Sequence, residues 1–249
     1  VTGVAPKRVI ICILGSVGLT FTTRDSDSPW IDTVWTCRSS RVDTMTSVAT
    51  PHWGLVFWQQ DGRSFAGVTG PETRAGTAPV PEGADFTGIE FAVGTSLRSV
   101  PIESLVDRGL ELPGPFVLDG SRWEIPGPDD AEALVSRLVR AGAVVRDPLV
   151  SSVLDGSSLD VPARTVSART VERRFRAATG LTQGAVRQIA RARESATLLA
   201  GGMPVADVVV SGSYVDEPHL ARALRRFVGR TAGELRTGGG GAIALQLTS

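Results

Sequence analysis

From residue 167 onward, apolar positions recur at three- and four-residue spacing and the positions between them carry arginine. In the segment starting at Ser167, Val171, Phe175 and Ala178 fall on one side of a helix at 100° per residue. Arg169, Glu172, Arg173 and Arg176 fall on the other side. Ser167 has the chemistry of an N-cap and Gly180 that of a C-terminal stop. Thr182 then caps a long helix running to about Ala200, with Val186, Ile189, Ala196 and Leu199 as its apolar side. After Gly201-Gly202 and Pro204 comes a short segment, Val205–Val210. Valines at 208–210 favour a strand by propensity, while the position between helices favours a helix. A second arginine-bearing helix near Asp216–Phe227 buries Leu220, Leu224 and Phe227 and exposes Arg222, Arg225 and Arg226. Thr231–Arg236 supplies a last turn, and the glycine-rich residues 238–249 are expected to be disordered.

The front of the chain follows a different period. Short runs rich in β-branched and aromatic residues, Ile31–Cys37, Trp53–Gln59, Ser64–Val68 and Gly88–Val93, alternate with turn clusters. The turns include Gln60-Asp61-Gly62-Arg63 and Pro81-Glu82-Gly83-Ala84. Such spacing predicts a small antiparallel barrel or sandwich, cupin-like in scale. A helix is expected over Ile102–Arg108. Another runs from Asp129 to Ala141, with Ala133, Leu134, Leu138 and Val139 facing a core and Gly142 stopping it. Leu149–Leu154 reads as a short helix ended by Gly156, and Ser157–Val166 leaves room for one compressed helix. The expected class is therefore α+β. A β-rich domain over 17–145 ends in a linker helix, a helical domain spans 146–237, and residues 1–16 form an unassigned extension.

Charge sharpens this division. The 249-residue chain is neutral overall, with 26 basic and 26 acidic residues. Residues 1–149 hold 13 Lys+Arg against 18 Asp+Glu, a net of −5, whereas residues 150–249 hold 13 against 8, a net of +5. Two similar cationic helix faces in the basic half fit one long polyanion, and duplex DNA is the obvious candidate. Lys7 is the sole lysine, but the arginine bias runs through both halves and so carries no functional weight. Cys12 and Cys37, with only His52 and His219, make neither a disulfide framework nor a multi-histidine metal site. The usage fits a reducing cytoplasm. Lys7-Arg8 before an apolar run resembles a short signal peptide, yet no clean cleavage site follows and the run is too short to span a bilayer. A buried strand or an upstream extension is expected there.

The ordered set Ser167, Arg169-Thr170-Val171, Arg173 and Phe175, then Thr179-Gly180-Leu181-Thr182, resembles the AraC/XylS family of transcription regulators. The resemblance continues through Arg191, Arg193, Ala196, Leu198 and Leu199. It closes with Tyr214, Asp216, His219-Leu220, Arg222, Leu224-Arg225-Arg226-Phe227, Gly229 and Thr231. The resemblance implies two helix-turn-helix units joined by one long helix, with recognition helices entering successive major grooves. Less specifically, Ser28-Pro29-Trp30, Trp35, Gly70-Pro71-Glu72-Thr73 and Leu118-x-Gly120-Ser121-x-Trp123-Glu124 resemble a β-rich sensor-type domain of actinobacterial members. Three departures stand out. Ser213 replaces the glycine usual at the second bend, with Gly212 available to absorb it one residue earlier. The loop before Ser167 is short. Ala232 stands where the closing Pro-x-x-x-Arg pattern has proline.

Carried over by position, Arg169, Glu172 and Arg173 approach base edges in the first unit, and Glu217, His219 and Arg222 do so in the second. Arg176, Arg225, Arg226 and Thr231 are the expected phosphate contacts. Glu172 has two readings, acceptance from cytosine N4 or a helix pair with Arg176, and the pair is the expected one. His219 also reads as a packing and hydrogen-bonding residue at a helix start, and His52 as structural. Tryptophans 30, 35, 53, 58 and 123 either line a ligand pocket or fill a β core. No Gly-x-Ser-x-Gly elbow, phosphate loop or metal cluster appears, so neither catalysis nor a cofactor is expected. The expected partner is double-stranded DNA. RNA polymerase, a small-molecule effector and a second copy of the chain are further candidates, and no membrane contact is expected. The alternative is a DNA-binding protein whose front domain serves protein–protein contact alone.

Overall fold

The computed structural model describes residues 18–40, 44–154 and 167–245. Its first half is built from β1 (Leu19–Arg24), β2 (Ile31–Ser39), β3 (Thr44–Ser47), β4 (Gly54–Gln60), β5 (Arg63–Thr69) and β6 (Gly76–Pro79). It continues with β7 (Asp85–Phe91), β8 (Thr95–Leu97), β9 (Gly109–Glu111), β10 (Val117–Leu118) and β11 (Ser121–Arg122). After α1 (Ala131–Arg140), β12 (Val144–Arg146) closes this half. The helical half follows as α2 (Pro148–Leu154), α3 (Ala168–Thr179), α4 (Gln183–Ala200), α5 (Val205–Ser211), α6 (Glu217–Phe227) and α7 (Ala232–Thr237). An antiparallel β half before a helical half is the α+β arrangement expected from the periodicities. The expected features of Gly156 and of residues 157–166, and the apolar run near the start, lie outside the described residues.

Six strands form one antiparallel sheet in the order β1-β2-β7-β4-β5-β9. The β4–β5 hairpin turns on Asp61 and Gly62, both at positive φ, a pairing that matches strand twist in a two-residue loop. Because side chains alternate along a strand, the sheet has two distinct covers. One face carries Val34, Leu55, Phe57, Ile89 and Phe91 into a core completed by Ala131, Leu134, Val135 and Leu138 of α1. The helix expected to act as a linker is thus part of the β core. Its buried side is also rotated: Ala133 is exposed, and Ala131 and Val135 complete the 131/134/135/138 stripe. The helix expected over 102–108 is a single 3-10 turn, Ile102–Leu105, because Val106 turns out of it at ψ 128° and Asp107 follows at a left-handed φ of 57°.

The other face of the sheet carries Trp35, Val56 and Glu90, and lies toward the two-stranded β3–β6 sheet and the helical half. The tail corrects the expected disorder. Thr46 in β3 exchanges hydrogen bonds with Ala242 and Ala244 at 2.8 and 3.0 Å, and Ile243 and Leu245 are 3% and 2% exposed. Two apolar side chains with a buried site outweigh the flexibility of the glycine run before them. Residues 246–249 lie outside the described residues.

One ion pair ties β1 to α1. Arg24 donates to both carboxylate oxygens of Glu132 at 2.6 and 2.8 Å, and Ser26 donates at 2.8 Å. The Arg24 hydrogen bond outweighs partial burial and holds the Glu132 carboxyl at about 2, below its ordinary 4.5. A depressed carboxyl contributes stability above its unfolded pKa and loses it as pH falls from 4.5 toward 2. With about a third of the pair exposed, Glu132→Gln is expected to cost on the order of 1–2 kcal/mol at pH 7. Denaturant melts of both proteins should converge by about pH 2, the folded value. A gap that persists at that pH would contradict this account.

Candidate nucleic-acid interface

Helix α3 begins where Ser167 accepts the Thr170 N–H and ends at Gly180, which has φ 71°. Phe175, Ala178 and Thr179 are buried, and Val171 is half-buried. Arg169 and Arg173 project into solvent with no hydrogen-bond or ion-pair partner among the described residues, and Glu172 is half-buried. The expected Glu172–Arg176 pair does not form. Arg176 instead bonds Glu103 of the 3-10 turn at 3.1 Å, and Arg174 grips Asp147 through two bonds of 2.7 and 2.8 Å. Gly180 sits so close to that turn that a Cβ would lie 2.6 Å from Val106. The C-terminal end of α3 is therefore fastened to the β half, and among the described residues Ser167, Ala168 and Arg169 at its N-terminal end are exposed.

Helix α6 follows the same plan. Asp216 caps it by accepting the His219 N–H at 2.7 Å, and Leu220, Leu224 and Phe227 are buried. Glu217, Arg222, Arg225 and Arg226 are exposed. Arg225 lies near enough to Glu234 to help depress that carboxyl, after the hydrogen bonds from Thr231. The carbonyls of Arg226 and Phe227, which a helix end leaves unpaired, accept the N–H groups of Ala75 and Ala49, each at 2.8 Å. Thus both arginine helices are anchored at their C-terminal ends by the β half. Sequence periodicity cannot show this, because the Arg176 anchor lies 73 residues away and the anchors of α6 lie farther still.

Besides Arg176, the expected contacts Thr231 and His219 are also engaged within the protein. Thr231 forms a capping box at α7, bonding Glu234 through both its hydroxyl and its N–H. His219 is half-buried, with Nδ1 accepting from the Val215 N–H at 3.4 Å and its ring edge-on to Tyr214. His52 contacts the Phe91 carbonyl at 2.9 Å, a structural role.

The segment with three valines is helical, as α5, because Val208 reaches the helical core with no exposed surface. Burial decides over propensity here. Between α5 and α6 the left-handed residue is Ser213 at φ 52°, while Gly212 has φ −79°. The bend therefore falls on the serine. Gly212 serves another purpose, since a Cβ there would come within 2.6 Å of the Tyr214 ring. Tyr214 is the pin of this turn: Arg191 of α4 stacks 4.4 Å above it, and Ser195 reaches its hydroxyl at 3.4 Å. Sequence reasoning quoted Tyr214 and Arg191 but assigned neither a role. Ser213→Gly relieves the left-handed strain and should raise unfolding stability by about 0.5–1 kcal/mol, read as a higher melting temperature. A lower value would mean that the serine side chain is stabilising the bend.

Two further observations bear on chemistry. Val215, beside the cap of α6, is 86% exposed. Among the described residues no group of His, Cys, Asp and Glu could hold a metal ion, and no helix is long and apolar enough to cross a membrane. Residues 163–238 match the model of a family described as a helix-turn-helix domain. No curated protein and no solved structure matches the chain.

Proposed function

We propose that this chain is an AraC-type DNA-binding regulator, on the match of residues 163–238 to a helix-turn-helix domain, and that α3 and α6 enter successive major grooves of one duplex. The supporting observation is the shared geometry of the two helices: each has a capped, exposed N-terminal end and a C-terminal end fastened to the β half. Recognition helices contact bases through their N-terminal residues. Arg169 and Arg173 have the reach and the freedom to pair with guanine O6 and N7. Glu172 is left without Arg176 and so is available to accept from cytosine N4. Glu217 and Arg222 occupy the equivalent part of α6, with His219 turned toward the Tyr214 packing. Exposed Val215 suits a thymine methyl. Arg225 and Arg226 serve phosphates, as does Arg176 once released from Glu103. Residues 17–145 act as the sensing or oligomerisation unit and residues 146–237 as the DNA-binding unit. No catalytic role or cofactor is assigned, and the site of action is the cytoplasm.

Electrostatic contact makes the first test. If about six phosphates are neutralised, log K for a duplex falls with log salt at a slope of roughly −5. Fluorescence anisotropy of the full chain with a duplex selected from a random pool measures it. Absence of binding to any duplex at low salt would overturn the proposal.

A further inference from the structure

A cavity of about 340 Å³ lies on the sheet face turned away from α1. It is bounded by that face, the two-stranded β3–β6 sheet, tail residues Ala244 and Leu245, and Arg193 of α4. The space is left by the sheet itself. Gly54 and Gly88 contribute no side chains to a row that otherwise carries Trp35, Val56 and Glu90, and the Trp35 indole lies over Gly88. This volume suits a small organic molecule.

We propose that this cavity binds a small organic cation, an ammonium or amidinium on a flat apolar body, and that occupancy is relayed through Arg193 to the DNA-contacting helices. Phe21, Trp35, Met45 and Val56 supply apolar walls, and an indole face attracts a cation. The polar end is set by two carboxylates. Among the described residues Glu90 Oε2 is buried without a hydrogen-bond partner, a state that calls for a donor. Glu72 accepts from Ser47, and burial, with Asp107 and Glu90 nearby, raises its pKa against the opposing influence of Ser47 and Arg193. A ligand cation would satisfy Glu90 and stabilise the ionised form of Glu72. An anion would meet both carboxylates, and would find Arg193 already bonded to the Ala49 carbonyl at 3.1 Å. A neutral alcohol offers a donor without the charge.

The relay is a short covalent and hydrogen-bonded path. Arg193 lies on α4 between α3 and α6, two residues from the Arg191 that stacks on Tyr214. It holds the carbonyl of Ala49, whose N–H in turn caps the Phe227 carbonyl at the end of α6. A ligand drawing Glu72 away from Arg193 alters the anchor of the second arginine helix.

Calorimetric titration of the full chain without DNA tests the site with 2-phenylethylamine, 2-phenylethanol and phenylacetate. The amine should bind saturably, with the alcohol weaker by about tenfold or more and the carboxylate not bound. Glu90→Gln, which keeps the shape and removes the charge, should weaken the amine by about tenfold without lowering the melting temperature. Equal affinity for the three probes would overturn the proposal, as would no saturable amine binding up to roughly 10 mM. The relay rests on the DNA-binding reading and is tested with a selected duplex, whose affinity should change about threefold or more with saturating amine. An unchanged affinity overturns the relay. Failure to bind any duplex would instead count against the DNA reading, leaving the cation titration to stand by itself.

Discussion

Arg173→Ala is expected to weaken binding to a preferred duplex by roughly 5- to 150-fold, the equivalent of losing one bidentate guanine contact of about 1–3 kcal/mol. Binding to random duplex should change far less, because phosphate contacts position the protein without reading sequence. The structure makes this substitution clean. Arg173 is exposed and has no partner among the described residues, so truncation leaves no buried group unpaired and leaves α3 folded. The neighbouring arginines behave differently. Arg174 and Arg176 bond Asp147 and Glu103, so truncating them loosens the fastening of α3 to the β half. Anisotropy titrations of a selected and a scrambled duplex at one salt concentration separate the cases. An equal loss on both duplexes would reassign Arg173 to phosphate.

Ending the chain after Gly241 is expected to lower unfolding stability by about 3–5 kcal/mol. Ile243 and Leu245 are buried at 3% and 2% exposure, and burial of such a side chain contributes about 1.5–3 kcal/mol. The truncation also leaves Thr46 without its bonds to Ala242 and Ala244. The double substitution of Ile243 and Leu245 by serine removes the burial while keeping the chain length, and should give most of the same loss in a denaturant melt. A tail acting only as a solvated appendage would give no change in either variant. The two results also bear on the cavity, because Ala244 and Leu245 form part of its wall.

These two expectations differ in how they could be reached. Arg169, Arg173, Leu220, Leu224 and Phe227 follow from local spacing, since a helix of 3.6 residues per turn sorts its own faces. The caps at Ser167 and Thr182 are likewise local chemistry, each accepting the N–H three residues on, and Asp216 does the same at α6. Ser213 was legible as the residue standing where glycine is usual, but that it rather than Gly212 takes the left-handed bend was decided by the fold. By contrast, Arg176 lies in the same helical register as Arg169 and Arg173, yet its partner is Glu103, 73 residues earlier. No periodicity within α3 carries that information. For the valines of α5, propensity favoured a strand and position between helices favoured a helix, and the segment is a helix that buries Val208.

Local pattern therefore sufficed for the two arginine helices, their caps and the alternation of the β half, because each depends on residues within a few positions of one another. Tertiary structure decided the rest. It placed α1 in the β core, drew a glycine-rich tail onto β3, and anchored both arginine helices at their C-terminal ends. It also brought Glu72, Glu90 and Arg193 around one cavity. Those features depend on groups distant in sequence satisfying one another's hydrogen bonds, charges and apolar surface, and only the folded chain brings such groups together.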